Sequence, residues 1–131
     1  MHTWGDIVFD KCNLFNLQLA ETQAHGGRGL ILFNRILSGQ MINGACNFMD
    51  FTCMPPGTSV GMHSHAADQE EYYLILRGTG HLQRDGKEFR VQAGDLVRNP
   101  PGGCHALENI GSEELCMFVF ELRVLGHSRE H

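Results

Sequence analysis

Turn-forming residues set the frame of this chain. From Gly29 onward, strand-like apolar runs are cut by glycine or proline at intervals of about ten residues, the spacing of an all-β sandwich or barrel. The runs are GLILFNRIL (29–37), NFMDFTCM (47–54), SVGMHSH (59–65), EYYLILRG (71–78), LVRN (96–99), CHALEN (104–109) and LCMFVFEL (115–122). Between them stand Pro55-Pro56-Gly57, Gly78-Thr79-Gly80, Ala93-Gly94-Asp95, PPGG (100–103) and Gly111-Ser112. Proline withholds a donor from a sheet ladder, and glycine tolerates the turn. HLQRDGKEFRV (81–91) reads as a hairpin, because Asp85-Gly86 is a strong two-residue turn signal. No convincing amphipathic helix follows Ala24.

The ends are less regular. LFNLQLAETQA (14–24) has no clean period and reads as an edge strand or an arm, with Trp4 as its packing anchor. AHGGRG (24–29) is a glycine-rich turn without the GK[ST] or GxGxxG pattern that a phosphate-cradling loop requires. At 131 residues the chain is expected to be one domain. Residues 1–25 form the arm or edge strand, 29–123 the barrel and 124–131 a frayed tail. His2, His127 and His131 read as solvated terminal residues.

The net charge of -5 argues against a nucleic-acid partner. No window of eighteen apolar residues spans a membrane, and MHTWGDIVFD lacks a secretory pattern, so a cytoplasmic location is expected. Cys12, Cys46, Cys53, Cys104 and Cys116 contain no CxxC pair, which argues for reduced thiols over a zinc knuckle or redox motif. Cys53 and Cys116 lie inside strand-like runs and read as small core residues.

The chemistry concentrates in one stretch. His63 and His65 are two apart, so on a strand they share a face. Glu70 and Glu71 follow, and His105 stands downstream. Imidazole nitrogen and carboxylate oxygen are donors that first-row divalent metals take. A single histidine is more often structural; three with a carboxylate make metal binding the stronger reading. His25 and His81 read as surface residues. Arg77 and Arg98 suit exposed salt bridges or an anionic ligand, and Tyr72, Tyr73, Phe118 and Phe120 either line the barrel or pack it.

The spacing Gly57-x5-His63-x-His65, then a carboxylate and Gly78, resembles the first motif of the cupin superfamily. Gly94-x5-Pro100-x-Gly102-x2-His105-x3-Asn109 resembles the second at every position. The resemblance implies a small single-domain cupin: a jelly-roll β-barrel, or double-stranded β-helix, with a metal at its centre. It carries His63, His65 and His105 over as ligands. The family spacing counted forward from His65 favours Glu70 as the fourth, and counted back from Gly78 favours Glu71. Neighbouring strand residues face opposite ways, so only one turns inward; the loop before the strand absorbs an extra residue more easily than the strand does, which favours Glu71 over Glu70, with Gln69 a third candidate.

Zn, Fe, Mn, Ni and Co all suit this donor set. The resemblance implies a small metalloenzyme acting on a carbonyl- or enol-bearing metabolite, as a cyclase, isomerase or dioxygenase. The alternative is a non-enzymatic barrel that binds or senses a small molecule. A Glu71-inward register leaves Tyr72, Leu74 and Leu76 as an apolar outer face, which the arm or a second copy in a homodimer must cover.

Overall fold

Burial alternates with period two along the strand that carries Glu71. Glu71, Tyr73 and Ile75 are buried, while Tyr72, Leu74 and Leu76 are half-exposed. The structure is a computed structural model in which residues 9–125 are described. Trp4, His2, His127 and His131 lie outside the described residues.

The strands are β1 (Ala20–Thr22), β2 (Ile31–Ser38), β3 (Cys46–Met54), β4 (Ser59–Ser64) and β5 (Gln69–Arg77). They continue with β6 (Thr79–Arg84), β7 (Lys87–Gln92), β8 (Leu96–Asn99), β9 (Cys104–Asn109) and β10 (Leu115–Arg123). One sheet has the order β1-β2-β3-β10-β5-β8, the other β4-β9-β6-β7, and every pairing is antiparallel. Inward side chains from both sheets, among them Met54, Tyr73, Ile75 and Met117 against Val60, Leu82, Val91 and Leu107, form one core. This is the expected all-β jelly roll. No helix among the described residues is long and apolar enough to cross a membrane.

Local chemistry explains the turns. Asp85 (φ 50°) and Gly86 (φ 82°) are both left-handed, as a tight primed hairpin turn requires. Asp85 also accepts from the Cys104 amide at 2.8 Å, which ties the hairpin tip to the start of β9. Gly78 has φ +87°, and a Cβ there would lie 2.3 Å from the Glu114 carbonyl oxygen, so only glycine fits. Asn109 is buried; its Nδ2 donates to the carbonyls of Met54 (2.8 Å) and Glu113 (2.9 Å), and its Oδ1 accepts from the Gly111 amide. The last residue of the second motif thus stitches β9 to the end of β3 and to the turn before β10.

The segment 14–24 is both an arm and an edge. A 3-10 turn (Leu14–Asn16) is capped by Asn13, and β1 pairs with β2. Leu14, Leu17 and Leu19 cover Phe51, Cys53 and Cys116 on the outer face of the larger sheet. Of the four aromatic residues weighed as barrel lining, only Tyr73 faces inward. Tyr72, Phe118 and Phe120 have the opposite parity and cluster outside, with Tyr72 and Phe120 stacked at 5.1 Å.

Candidate metal centre

β4 and β9 lie side by side with His63 directly opposite His105. A register shift between Val60 and His63 sets this pairing, and His65 is the next inward position beyond β4. The PPGG turn holds the two motifs together: the His65 amide donates to the Gly103 carbonyl, and the Gly102 amide to the Ala66 carbonyl. Glu71 enters from the opposite sheet. The ligand atoms of His63, His65, Glu71 and His105 all lie within 4.8 Å of one another.

The neighbouring polar residues turn elsewhere. Glu70 points outward to Arg98 at 3.4 Å. The Gln69 side chain accepts from the Ala66 amide and closes the loop after His65. Strand parity turns Glu70 away and the Ala66 amide engages Gln69, so Glu71 alone of the three joins the cluster.

Polar contacts orient the rings. His63 Nδ1 is 2.8 Å from the Gly61 carbonyl, so it carries the proton and leaves the Nε2 lone pair free. His65 Nδ1 is 3.1 Å from Glu121 Oε1, and Asn47 Nδ2 holds the other Glu121 oxygen at 2.8 Å. His65 Nε2 lies 3.3 Å from Glu71 Oε1 but out of line for a hydrogen bond, so it is buried without a partner. His105 Nε2 is 3.1 Å from the same oxygen. With bonds of about 2.1 Å, ligand atoms around one ion sit about 3.0 Å apart when adjacent and about 4.2 Å apart when opposite. The cluster needs little contraction to meet that, and three imidazoles with one carboxylate suit a divalent first-row ion. The residues fit the group.

Charge balance at the cluster follows from its contacts. Burial pushes Glu71 up, but the hydrogen bond to His105 and the nearby His65 ring outweigh it and bring the carboxyl down to about 2. Burial lowers His63 to about 4, whereas the Glu71 carboxylate beside it raises His65. Burial, then Glu71, holds the Tyr73 hydroxyl well above its ordinary value, so it keeps its proton.

These shifts set an acid limb for chelator-treated protein. A depressed carboxyl stabilises the fold above its unfolded value of 4.5, and that contribution is lost as pH falls toward 2. His63 adds a loss between 6.5 and about 4, where the unfolded ring takes a proton that the folded ring refuses. His65 has the opposite sign: its contribution is present below 6.5 and fades as pH rises through its raised value. Glu71→Gln is expected to remove the part between pH 4.5 and 2, on the order of 2 kcal/mol, from denaturant midpoints measured against pH. An unchanged acid limb would count against this role.

Four further residues surround the cluster, and sequence reasoning missed them. His25 is exposed, as expected, and its ring stacks on His63 at 3.6 Å and 6°, a contact the sequence did not suggest. Arg35 grips Asp50 with two hydrogen bonds, 2.9 and 3.0 Å, and lies 4.1 Å over the Phe48 ring. Together with His63, His65, Glu71 and Tyr73 they line a cleft of about 270 Å³. Glu121 orients His65. His81 pairs with Glu88, and Arg77 and Arg98 form the expected salt bridges with Glu114 and Glu70.

Comparisons with known proteins agree with this geometry. Residues 50–121 match the family model described as Cupin domain. The chain is 33% identical to the oxalate-binding protein of Thermotoga maritima over 90 residues, 69% of this chain and 74% of that one. It is 29% identical to polyketide synthase CurC of Streptomyces cyaneus over 90 residues, 69% of this chain and 57% of that one. A crystal structure from Thermotoga maritima, described as a predicted oxalate decarboxylase, superposes with a TM-score of 0.80 at 27% identity, covering 85% of this chain and 96% of that one. The chain belongs to the cupin family.

Proposed function

We propose that His63, His65, Glu71 and His105 hold one divalent ion, and that the cleft admits a small chelating oxygen ligand of the oxalate class. One observation carries the reading: three imidazoles and one carboxylate converge, and His63, His65 and Glu71 of that set line a cleft that also contains Arg35. When bound, such an ion supplies positive charge and open positions that polarise a carboxylate or carbonyl oxygen. The protein does the rest. A hydrogen bond to Gly61 fixes the ring of His63, and the Glu121 carboxylate stands 3.1 Å from the other nitrogen of His65. Arg35, locked by Asp50 and Phe48, presents a fixed positive edge to an anionic ligand. The likeness to an oxalate-binding protein supports the ligand class.

Elemental analysis followed by calorimetric titration tests this. The expected result is close to one ion per chain, oxalate binding that disappears on chelation, and acetate at least about tenfold weaker because it cannot chelate as oxalate does. Oxalate binding indifferent to chelation would overturn it.

Catalysis on an enolisable carbonyl compound is the second reading, favoured by the likeness to CurC and by the proton-bearing groups at the cluster. Tyr73 keeps its proton near Glu71, and His25 is exposed enough to pass one to solvent. Oxygen uptake with diketones or phenols, if the ion is iron, distinguishes the dioxygenase form from cyclase or isomerase chemistry.

The reading includes a homodimer. Tyr72, Phe118 and Phe120 form a half-exposed aromatic patch on the outer face of β5 and β10, while the arm covers Leu76 at the other end. Light scattering is expected to give twice the chain mass, and a monomeric mass would exclude it.

A further inference from the structure

The second convergence of reactive side chains lies on the opposite face of the larger sheet. Cys53 on β3 and Cys116 on β10 are direct register partners in neighbouring antiparallel strands, so their side chains leave the same face. Their Sγ atoms are 3.0 Å apart. Both are buried, and Leu14, Leu17 and Leu19 of the arm roof them. Phe15 fastens the roof by an edge contact to Phe51 at 5.3 Å and by lying under the Arg77 guanidinium at 4.9 Å.

Distance decides what the pair is for. Two thiolates on one zinc ion, with bonds of about 2.3 Å in a tetrahedron, stand about 3.8 Å apart. The observed 3.0 Å is too short for that, and the one further donor in reach among the described residues, Glu114, is half-exposed and 3.5 Å from Arg77. Inert packing would also keep the sulfurs further apart. A separation of 3.0 Å leaves only about 1 Å to the disulfide bond length, which a small side-chain rotation can close.

We propose that Cys53 and Cys116 are a reversible dithiol–disulfide pair, oxidised by hydrogen peroxide or another small hydroperoxide that passes beneath the arm. The two thiols share one hydrogen bond in which either can be the donor, so the roles are interchangeable; take Cys116 as the attacking sulfur. Its thiolate displaces one peroxide oxygen, giving a sulfenic acid and, after protonation, water. The Cys53 sulfur then attacks the Cys116 sulfur; the S–S bond forms, and hydroxide leaves with the Cys53 proton as a second water. Two thiols and one peroxide become one disulfide and two waters. The bond ties β3 to β10, the strands whose inner faces carry Asp50 and Glu121. Cys12 and Cys104 are exposed and are not part of this pair.

The test uses the full chain with Cys12, Cys46 and Cys104 replaced by serine, treated with hydrogen peroxide, then denatured and alkylated. The expected result is simultaneous loss of both alkylation sites, a mass lower by about 2 Da, and full reversal by dithiothreitol. Phe15→Ala in the same background loosens the roof and is expected to speed the reaction several-fold. Peptide mapping of the peroxide-treated wild-type chain reads the same Cys53–Cys116 link should the triple variant not fold. Two thiols that stay alkylatable, oxidation to sulfinic acid without a link, or protection of both thiols by stoichiometric zinc would each overturn the proposal.

Discussion

Glu71→Gln is expected to weaken divalent-metal binding by at least about 100-fold, and Glu70→Gln to leave it unchanged. Glutamine keeps the shape of Glu71 but removes the one negative charge in the donor set, leaving three neutral rings around a doubly charged ion. A hundredfold loss corresponds to about 2.7 kcal/mol, so the ion-dependent rise in melting temperature should shrink by several degrees. Glu70 faces the other way and pairs with Arg98 at 3.4 Å, half in solvent, where a neutral side chain costs little. His105→Ala is expected to abolish stoichiometric binding, because it removes a ligand and opens a hole beside Tyr73. Competition against a chromophoric chelator measures all three. A Glu70 variant that loses metal while the Glu71 variant keeps it would sink the assignment.

That contrast between neighbours marks how far the sequence could be read. Period-two parity and turn chemistry are local, which is why the strands after Gly29 and the Asp85-Gly86 hairpin were legible. His63 and His65 were legible for the same reason, being two apart on one strand. Parity also separates Glu71 from Glu70 and Tyr73 from Tyr72. The same signal was present but unused for Asp50 and Glu121: each is a charged residue at an inward position of an otherwise apolar strand, where an unpaired charge could not stay. Asp50 found Arg35 and Glu121 found His65 and Asn47. His25 carried no such signal. Its place depends on a loop that docks on β4, far away in sequence, through backbone contacts that leave no periodic trace. The cysteine pair was equally hidden, since Cys53 and Cys116 meet only once β3 and β10 become neighbours.

The docking of that loop can be tested at a single atom. Gly61→Ala is expected to destabilise the protein by about 2–4 kcal/mol and to lift His25 from His63. A Cβ at Gly61 would lie 2.0 Å from the His25 carbonyl oxygen and 3.0 Å from the Gly27 nitrogen. Both are backbone atoms, so no side-chain rotation relieves the clash. Gly27 mirrors it: a Cβ there would lie 2.0 Å from the Ser59 carbonyl oxygen. Glycine on both chains lets the Gly61 amide reach the Ala24 carbonyl at 3.0 Å, the Ser59 amide reach the Arg28 carbonyl at 3.0 Å, and Ser59 Oγ accept from the Arg28 amide at 2.8 Å. A methyl group forces the loop outward by more than 1 Å, on the order of the gap between 2.0 Å and an ordinary contact, and breaks these bonds together. The Gly61 carbonyl that holds His63 Nδ1 shifts with them, so metal affinity should fall along with stability. Gly44→Ala is the control, having nothing within 4 Å and no left-handed backbone, and should change stability by less than about 0.5 kcal/mol. Faster hydrogen exchange at the Ser59 and Gly61 amides would report the lifted loop directly. Wild-type stability and protection in Gly61→Ala would mean that His25 is held over His63 by something other than this backbone contact.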